Sequence, residues 1–232
     1  MPQSHRRAGQ NIRKLALKRR LKAVQSWVAA GLVIVLPLFL VKTFDDLVKH
    51  LPAATPSTAA SWHMPPYFYA GLGVIALGLV ANGMSLWQQA NNADQGAKGE
   101  EDSADALEVL KPEGWQIDYN LILGNGLGDA DILCISPQRQ AYVIDVKSHR
   151  GFVTTDGMQL YRRKGTETLP FEKDFLARAM QQALQVKKQK GLKFVTPIVA
   201  FSAAKVSVPQ GKVQKVYVVE KAKLADLLRS LG

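Results

Sequence analysis

Two long hydrophobic runs, each without a charged side chain, dominate the first ninety residues of the chain. The first lies between Lys22 and Lys42, and the second extends from Tyr67 to Trp87. Each is about 20 residues long, which is the length of helix that crosses the hydrocarbon core of a bilayer. Aromatic residues end the second run, where such side chains favour the interface with water. The pattern predicts a basic tail (residues 1–22), a transmembrane helix (23–43), an external loop (44–66), a second transmembrane helix (67–87), a linker or frayed helix extension (88–99) and a folded domain (100–232).

After residue 99 the hydrophobic residues occur in shorter runs with the periods of both strands and helices. The turn-like residues 137–140 separate two apolar runs and predict an antiparallel hairpin. A glycine-rich turn over residues 124–128 precedes this hairpin. The fold class is therefore α/β, in one compact domain. Helices are predicted over residues 100–110, 171–190 and 221–231, and strands over residues 115–123, 130–136, 141–147, 151–155, 158–163, 194–202 and 213–219.

The net charge of +11 is concentrated at the N-terminus. Residues 1–22 contain eight basic and no acidic residues, whereas the chain after residue 92 carries only +3. Basic residues before a first membrane span favour the cytoplasmic side, and two spans return the chain to that side. We therefore expect a multi-pass protein of the inner membrane with its folded domain in the cytoplasm. A cleaved signal peptide is the competing interpretation of the N-terminus, and it also leaves this domain in the cytoplasm.

Three charged residues lie near the ends of two neighbouring predicted strands. Asp145 and Lys147 are two residues apart on one strand, so their side chains share a face of the sheet. Asp131 begins the preceding strand and can come opposite the end of its hairpin partner. Two such carboxylates can bind Mg²⁺ or Mn²⁺, and a lysine can orient a water molecule or offset charge on a phosphate. The pattern indicates metal-dependent phosphodiester hydrolysis, although an Asp-x-Lys triplet alone is also typical of a solvated strand face.

Three motifs around these residues occur in the order found in a known family. They are Gly-Ala-Lys-Gly-Glu at residues 96–100, Gly-Asp-Ala-Asp-Ile-Leu at residues 128–133, and Tyr-Val-Ile-Asp-Val-Lys-Ser at residues 142–148, followed by Gly151. The set resembles the nuclease-related domain of the PD-(D/E)XK, restriction-endonuclease-like superfamily. The resemblance implies a mixed sheet flanked by helices, a nuclease that uses Mg²⁺ or Mn²⁺, and DNA rather than RNA as the favoured substrate. Many superfamily members pair to cut both strands, so the analogy also suggests a homodimer.

The resemblance assigns roles to individual residues. Asp131 and Asp145 would be metal ligands. Lys147 would be the catalytic lysine, and Glu100 would be the family's glutamate on the leading helix. Asp145 stands where the family more often has glutamate, which shortens the side chain by one methylene. Asp129 competes with Asp131, which is favoured because the apolar strand begins immediately after it.

Helical spacing bears on the other two candidates. Glu100 lies in line with Leu107 on the face predicted to turn inward, although the helix dipole alone also favours an acid at a helix N-terminus. The family carries a glutamine on the helix after the core strands, where Gln181 and Gln182 compete. Gln182 shares the apolar stripe of that helix and is the better candidate.

The sequence therefore predicts a membrane-anchored, metal-dependent nuclease. The alternative is a catalytically inactive module that binds nucleic acid or acts as a scaffold at the membrane. The modest +3 charge of the folded domain is consistent with this alternative.

Overall fold

A computed structural model of the protein describes residues 8–50, 65–124 and 126–232. The described residues form two compact units. One unit contains residues 8–13 together with Asp94–Gly232, and the other is Lys14–Ala93. Of the predicted segments, residues 1–7 of the basic tail, residues 51–64 of the external loop and Asn125 of the glycine-rich turn lie outside the described residues.

The unit Lys14–Ala93 consists of two helices, which are parts of α1 (Gln10–Lys49) and α2 (Pro66–Leu107). Both helices are long and apolar enough to cross a membrane by length and composition. Only 11% of the most apolar stretch of each helix is buried within the protein. A core helix of a water-soluble domain would bury most of such a stretch, because exposed apolar surface is unfavourable in water.

The two helices pack through small and polar residues. Ser26 donates from its hydroxyl to the carbonyl of Leu79 at 2.8 Å, and it accepts from the side-chain amide of Asn82 at 3.2 Å. The rings of Trp27 and Trp87 lie 5.5 Å apart between their centroids. Polar groups that satisfy each other between otherwise apolar helices are typical of membrane helix pairs.

Residues 88–99 are helical throughout, because α2 continues without interruption to Leu107. The segment predicted as a linker or frayed extension is a regular part of this helix in the structure. A short 3₁₀ helix over Glu108–Glu113 then ends at Gly114, which has a left-handed backbone. The predicted helix over residues 100–110 is therefore the end of a much longer one.

The unit that contains Asp94–Gly232 is built around an eight-stranded mixed sheet. Its main strand order is β1-β2-β3-β6-β8-β7, and β4 and β5 extend from the far half of β3. The strands are β1 (Gln116–Ile122), β2 (Asp129–Ile135), β3 (Ala141–Thr155), β4 (Leu160–Lys164), β5 (Glu167–Pro170), β6 (Thr196–Ser207), β7 (Lys212–Val213) and β8 (Val216–Glu220), and the helices beside them are α3 (Phe175–Lys190) and α4 (Leu224–Leu231). This mixed sheet with flanking helices confirms the predicted fold class.

Alternation along β3 divides the core into two layers. Val143 packs with Ala183 and Val186 of α3 on one face of the sheet. Ile144 packs on the other face with residues from the end of α2 and from α4, including Leu107. Residues 143, 145 and 147 share a face because strand side chains alternate. The buried faces thus fix which side of the sheet Asp145 and Lys147 occupy.

The structure corrects several predicted boundaries. The β2–β3 hairpin is antiparallel as predicted, but β3 runs on to Thr155 as one strand. The strand Glu167–Pro170 was not predicted; its residues are all exposed, so no apolar alternation marks it. Helix α3 begins at Phe175 rather than at residue 171, because Asp174 caps it by accepting from the N–H of Ala177.

Candidate active site

The candidate site lies where β2 and β3 part. Their antiparallel pairing ends at Ile132 and Ile144. Beyond that point β2 remains paired with β1 as far as Asp129, while β3 remains paired with β6 through Asp145 and Lys147. Extending the register by one residue places Asp131 beside Asp145. The separation of the strands leaves both carboxylates at the fork.

The first acid of the fork is fixed by the backbone of the neighbouring strand. The carboxylate of Asp131 accepts from the N–H of Val146 at 2.6 Å. This bond satisfies the Val146 N–H, which lies beyond the last backbone pair between β2 and β3. Asp131 is therefore held against β3 even though the two strands have separated.

The second acid is paired with the lysine two residues later. Lys147 Nζ lies 2.5 Å from Oδ2 of Asp145, and the Asp145 side chain is only 2% exposed. The contact is an ion pair between opposite charges. Among the described residues, this oxygen has no hydrogen-bond partner. The lysine also lies 5.2 Å from the ring centroid of Phe175, over its face. The register between β3 and β6 shifts between Lys147 and Arg150. Irregularities of this kind in a strand are common beside active sites, where they aim side chains.

Glu100 reaches the same region from α2. It is 6% exposed and accepts from the backbone N–H of Gly9 at 3.0 Å. The helix passes close to the sheet here, since a Cβ on Gly99 would lie 2.6 Å from the hydroxyl of Ser202. Gln95 adds a bond from its side-chain amide to the carbonyl of Ser148 at 2.6 Å. The small residues of the first motif thus allow the close approach that brings Glu100 inward.

Gln182 is the glutamine that points into the protein. It is fully buried on α3, whereas Gln181 is exposed. Its side-chain amide donates to the carbonyl of Asp129 at 3.2 Å. Its Oε1 is buried and has no hydrogen-bond partner among the described residues. The carboxylate of Asp129 instead accepts from the side chain of Asn11 at 3.3 Å, so this acid is engaged elsewhere.

Two acids of the site have raised pKa values, in part because the acids repel one another. The pKa of Glu100 is raised to about 7, chiefly by burial and also by nearby Asp145 and Asp129, while the Gly9 N–H and Lys147 act to lower it. Burial also raises the pKa of Asp131 well above its usual range, with added repulsion from Asp145 and Glu100. Carboxyls that raise one another's pKa in this way are typical of functional sites.

The donor set fits a hard divalent cation. Within the described residues no group of three or more Asp, Glu, His or Cys side chains forms a complete metal site. Mg²⁺ commonly needs only one or two carboxylates, since water and substrate phosphates supply its other ligands. Asp131 and Asp145 can provide the carboxylates. The buried Oε1 of Gln182, which has no hydrogen-bond partner among the described residues, can accept from a metal-bound water.

A cleft of about 710 Å³ opens beside the lysine. It contains four cationic side chains and three rings, and only one acid, Glu172. Its main lining residues are Lys147, His149, Arg162, Phe171, Lys173 and Arg178. Such a surface suits a phosphate backbone, because lysine and arginine neutralise phosphates.

The comparison with known families bears directly on this fork. Residues 95–202 match the family model described as the nuclease-related domain. This part of the chain is a nuclease-related domain. No curated protein and no solved structure matches the chain.

The matched segment includes every predicted site residue. The nuclease-related domain begins five residues before Glu100 and ends after β6 has passed Lys147. The match assigns a nuclease-related fold to this domain, and with it nucleic acid as the general class of ligand. It is also consistent with a general dependence on divalent metal ions.

Sequence reasoning missed three residues that support the site. Gly9 and Asn11 come from the predicted basic tail, and Gln95 comes from the predicted linker. No local pattern marks the contacts of Gly9 and Asn11, which span 91 and 118 residues of sequence. Gly96, Ala97 and Gly99 were the available signal, since small residues on a helix allow another segment to pack closely against it.

Proposed function

We propose that this protein is a metal-dependent nuclease anchored in a membrane, with its nuclease-related domain in the cytoplasm and DNA as its substrate. Asp131 and Asp145 would bind Mg²⁺ or Mn²⁺, and Lys147, Glu100 and Gln182 would complete the site. The observation that carries the proposal is the meeting of Asp131, Asp145 and Lys147 at a strand fork inside the matched family segment.

Each side chain has a task that follows from its surroundings. A bound Mg²⁺ or Mn²⁺ would polarise the scissile phosphate and acidify a coordinated water molecule. Lys147, held by Asp145 beneath the face of Phe175, would offset negative charge that develops on the phosphate. Glu100, with a pKa of about 7, can exchange a proton near neutral pH.

The cleft supports nucleic acid as the substrate. Its cations Arg162, Lys173 and Arg178 lie beside Lys147, although the domain as a whole carries little net charge. Concentrating cations beside the site raises the local affinity for phosphate where cleavage would occur.

Membrane anchoring is supported by the exposed apolar surface of α1 and α2. The bond between Gly9 and Glu100 adds a topological argument, because these residues flank the two-helix segment and lie in the same compact unit. Both ends of the segment must then lie on one side of the bilayer. Tags placed at Met1 and at Gly232 are expected to resist protease added outside intact spheroplasts. Digestion of either tag would contradict this topology.

The catalytic assignment is tested with the full-length protein in detergent, incubated with DNA and Mg²⁺ or Mn²⁺. Wild-type protein is expected to cleave, and cleavage is expected to stop on chelation. Asp145→Asn and Lys147→Gln should each abolish it, since they remove a charge and nearly preserve side-chain size.

Two surface substitutions serve as matched controls. Asp226→Asn removes an exposed carboxylate on α4, and Lys215→Gln removes an exposed lysine in the turn at the far edge of the sheet. Both should retain wild-type activity. Binding of DNA without cleavage in every metal tested would instead favour the inactive, nucleic-acid-binding alternative.

A further inference from the structure

Residues 8–13, which precede the apolar stretch of α1, are bonded to the candidate site. Gly9 is buried, and its backbone N–H donates to the carboxylate of Glu100 at 3.0 Å, across 91 residues of sequence. Neither the family match, which begins at residue 95, nor the motifs of the site include this segment. A bond from an N–H to a carboxylate is charge-assisted and therefore stronger than one between neutral groups.

Only glycine fits this position. Gly9 has a φ of +72°, which places it in the left-handed region that residues with a Cβ seldom adopt. A Cβ would also lie 2.8 Å from the carbonyl oxygen of Ala97, one turn before Glu100. The backbone at Gly9 therefore packs directly against α2. This close packing brings the Gly9 N–H within hydrogen-bond distance of the Glu100 carboxylate.

Two further contacts hold the same segment in place. Asn11 donates to the carboxylate of Asp129 at 3.3 Å, and Arg13 forms an ion pair with Glu101 at 2.5 Å. Asp129 begins β2 and receives the amide of Gln182 on its carbonyl. The segment thus contacts two of the three elements that bring acids to the fork, α2 and the start of β2.

We propose that residues 8–13 are a positioning element of the active site and that the Gly9 N–H orients the carboxylate of Glu100 for catalysis. This inference rests on the proposed nuclease function. Its consequence is that the nuclease-related domain is incomplete without a segment that precedes the apolar stretch of α1. Glu100 without this donor would be free to rotate away from Lys147 and the two aspartates.

The test compares variants of the full-length protein in detergent. Gly9→Ala is expected to lower kcat about tenfold or more, the effect of losing one charge-assisted hydrogen bond, while KM for DNA is unchanged. Gly31→Ala is the matched control, because a Cβ at Gly31 meets nothing within 4 Å. In a Glu100→Gln background Gly9→Ala should cause no further loss, since the group that it positions is already gone.

A second variant avoids backbone strain. The double substitution Asn11→Ala with Arg13→Ala loosens the segment without forcing a Cβ into Gly9, and it should lower kcat with the same dependence on Glu100. An equal loss in the wild-type and Glu100→Gln backgrounds would mean that the segment only stabilises the fold. Unchanged or increased activity in both Gly9→Ala and the double variant would also overturn the proposal.

Hydrogen exchange of the Gly9 amide separates this inference from the nuclease proposal. The amide is expected to be protected in the wild-type protein and to exchange faster in Glu100→Ala. Unaltered protection would contradict the contact itself, whatever the activity. Wild-type protein that shows this protection but cleaves no nucleic acid would contradict the nuclease function.

Discussion

Asp131 accepts a hydrogen bond from the N–H of Val146 at 2.6 Å, so a side chain of β2 serves the backbone of β3 where the two strands separate. A strand that parts from its neighbour normally exposes its N–H groups to water. Here one of them fixes a carboxylate instead, and the same separation leaves room beside it. The fork therefore positions Asp131 and opens the space that a metal ion and a phosphate need.

This relationship distinguishes Asp131 from its rival Asp129. Asp131→Asn is expected to abolish Mn²⁺ binding and cleavage, because the amide removes an anionic ligand. Asp129→Asn should retain Mn²⁺ affinity and activity within a few-fold, because that carboxylate contacts Asn11 and lies outside the proposed ligand set. Titration calorimetry of the full-length variants with Mn²⁺ measures both. A larger loss in Asp129→Asn would reverse the assignment.

The raised pKa of Glu100 predicts a pH-dependent stability. A carboxyl whose pKa rises from 4.5 to about 7 on folding binds more protons in the folded state within that window, so the free energy of unfolding falls as pH rises through it. Between pH 5 and pH 8 this fall amounts to about 2 kcal/mol from Glu100, and Asp131 contributes with the same sign. Glu100→Gln should remove the contribution of Glu100 to this pH dependence. Mg²⁺ should reduce the decrease in the free energy of unfolding of the wild-type protein between pH 5 and pH 8.

Cys134 offers a local measure of this effect. It is the only cysteine of the chain and is fully buried in the sheet, and burial raises the pKa of its thiol to about 12. Its labelling by a maleimide therefore reports opening of this domain. In metal-free buffer the wild-type protein should lose stability from pH 5 to pH 8 more than Glu100→Gln does, so the ratio of the wild-type labelling rate to the Glu100→Gln labelling rate should increase. The pH dependence of the thiol's own reactivity is the same in both proteins and cancels in this ratio. A constant ratio would refute the predicted role of Glu100 in stability.

Neighbouring glutamines on α3 provide a built-in comparison. Gln182 is buried, and its Oε1 has no hydrogen-bond partner in the part of the chain that the structure describes, whereas Gln181 is exposed. Gln182→Ala is expected to lower cleavage about tenfold to a hundredfold, the usual effect of removing a group that orients metal ligands or their water. Gln181→Ala should leave cleavage unchanged. Steady-state rates across a range of Mg²⁺ concentrations test the pair, and equal effects would exclude a specific role for Gln182.

The helix pair makes a separate prediction. A side chain at Gly83 would overlap the indole of Trp27, whereas one at Gly73 would meet nothing within 4 Å. Gly83→Leu is therefore expected to force the helices apart and to lower the temperature at which the protein aggregates in detergent. Gly73→Leu is the control and should behave like the wild type. Equal aggregation temperatures for both variants would show that α1 and α2 do not pack through Gly83.

The sequence predicted what depends on local pattern. The β2–β3 hairpin followed from two apolar runs around a turn, and the shared face of Asp145 and Lys147 followed from strand alternation. The choice of Gln182 over Gln181 followed from the apolar stripe of α3, and burial agrees with it.

Features that depend on distant contacts could not be predicted in this way. The polar residues 88–99 carry no apolar face, yet they are helical in continuity with an apolar helix before them and a packed one after them. The contact of Gly9 with Glu100 depends on the two long helices between them, which bring residues 91 positions apart together. The parting of β2 from β3 is set by the separate pairing of each strand with β1 and β6, which no single segment encodes.

The central claim is that Asp131 and Asp145 hold a divalent cation beside Lys147. A crystal structure of the protein grown with Mn²⁺ tests it most directly, through the anomalous scattering of the metal. The account predicts a peak roughly 2.0–2.3 Å from a carboxylate oxygen of each aspartate, with Lys147 adjacent. A peak bound elsewhere, or two empty carboxylates in crystals saturated with Mn²⁺, would contradict it.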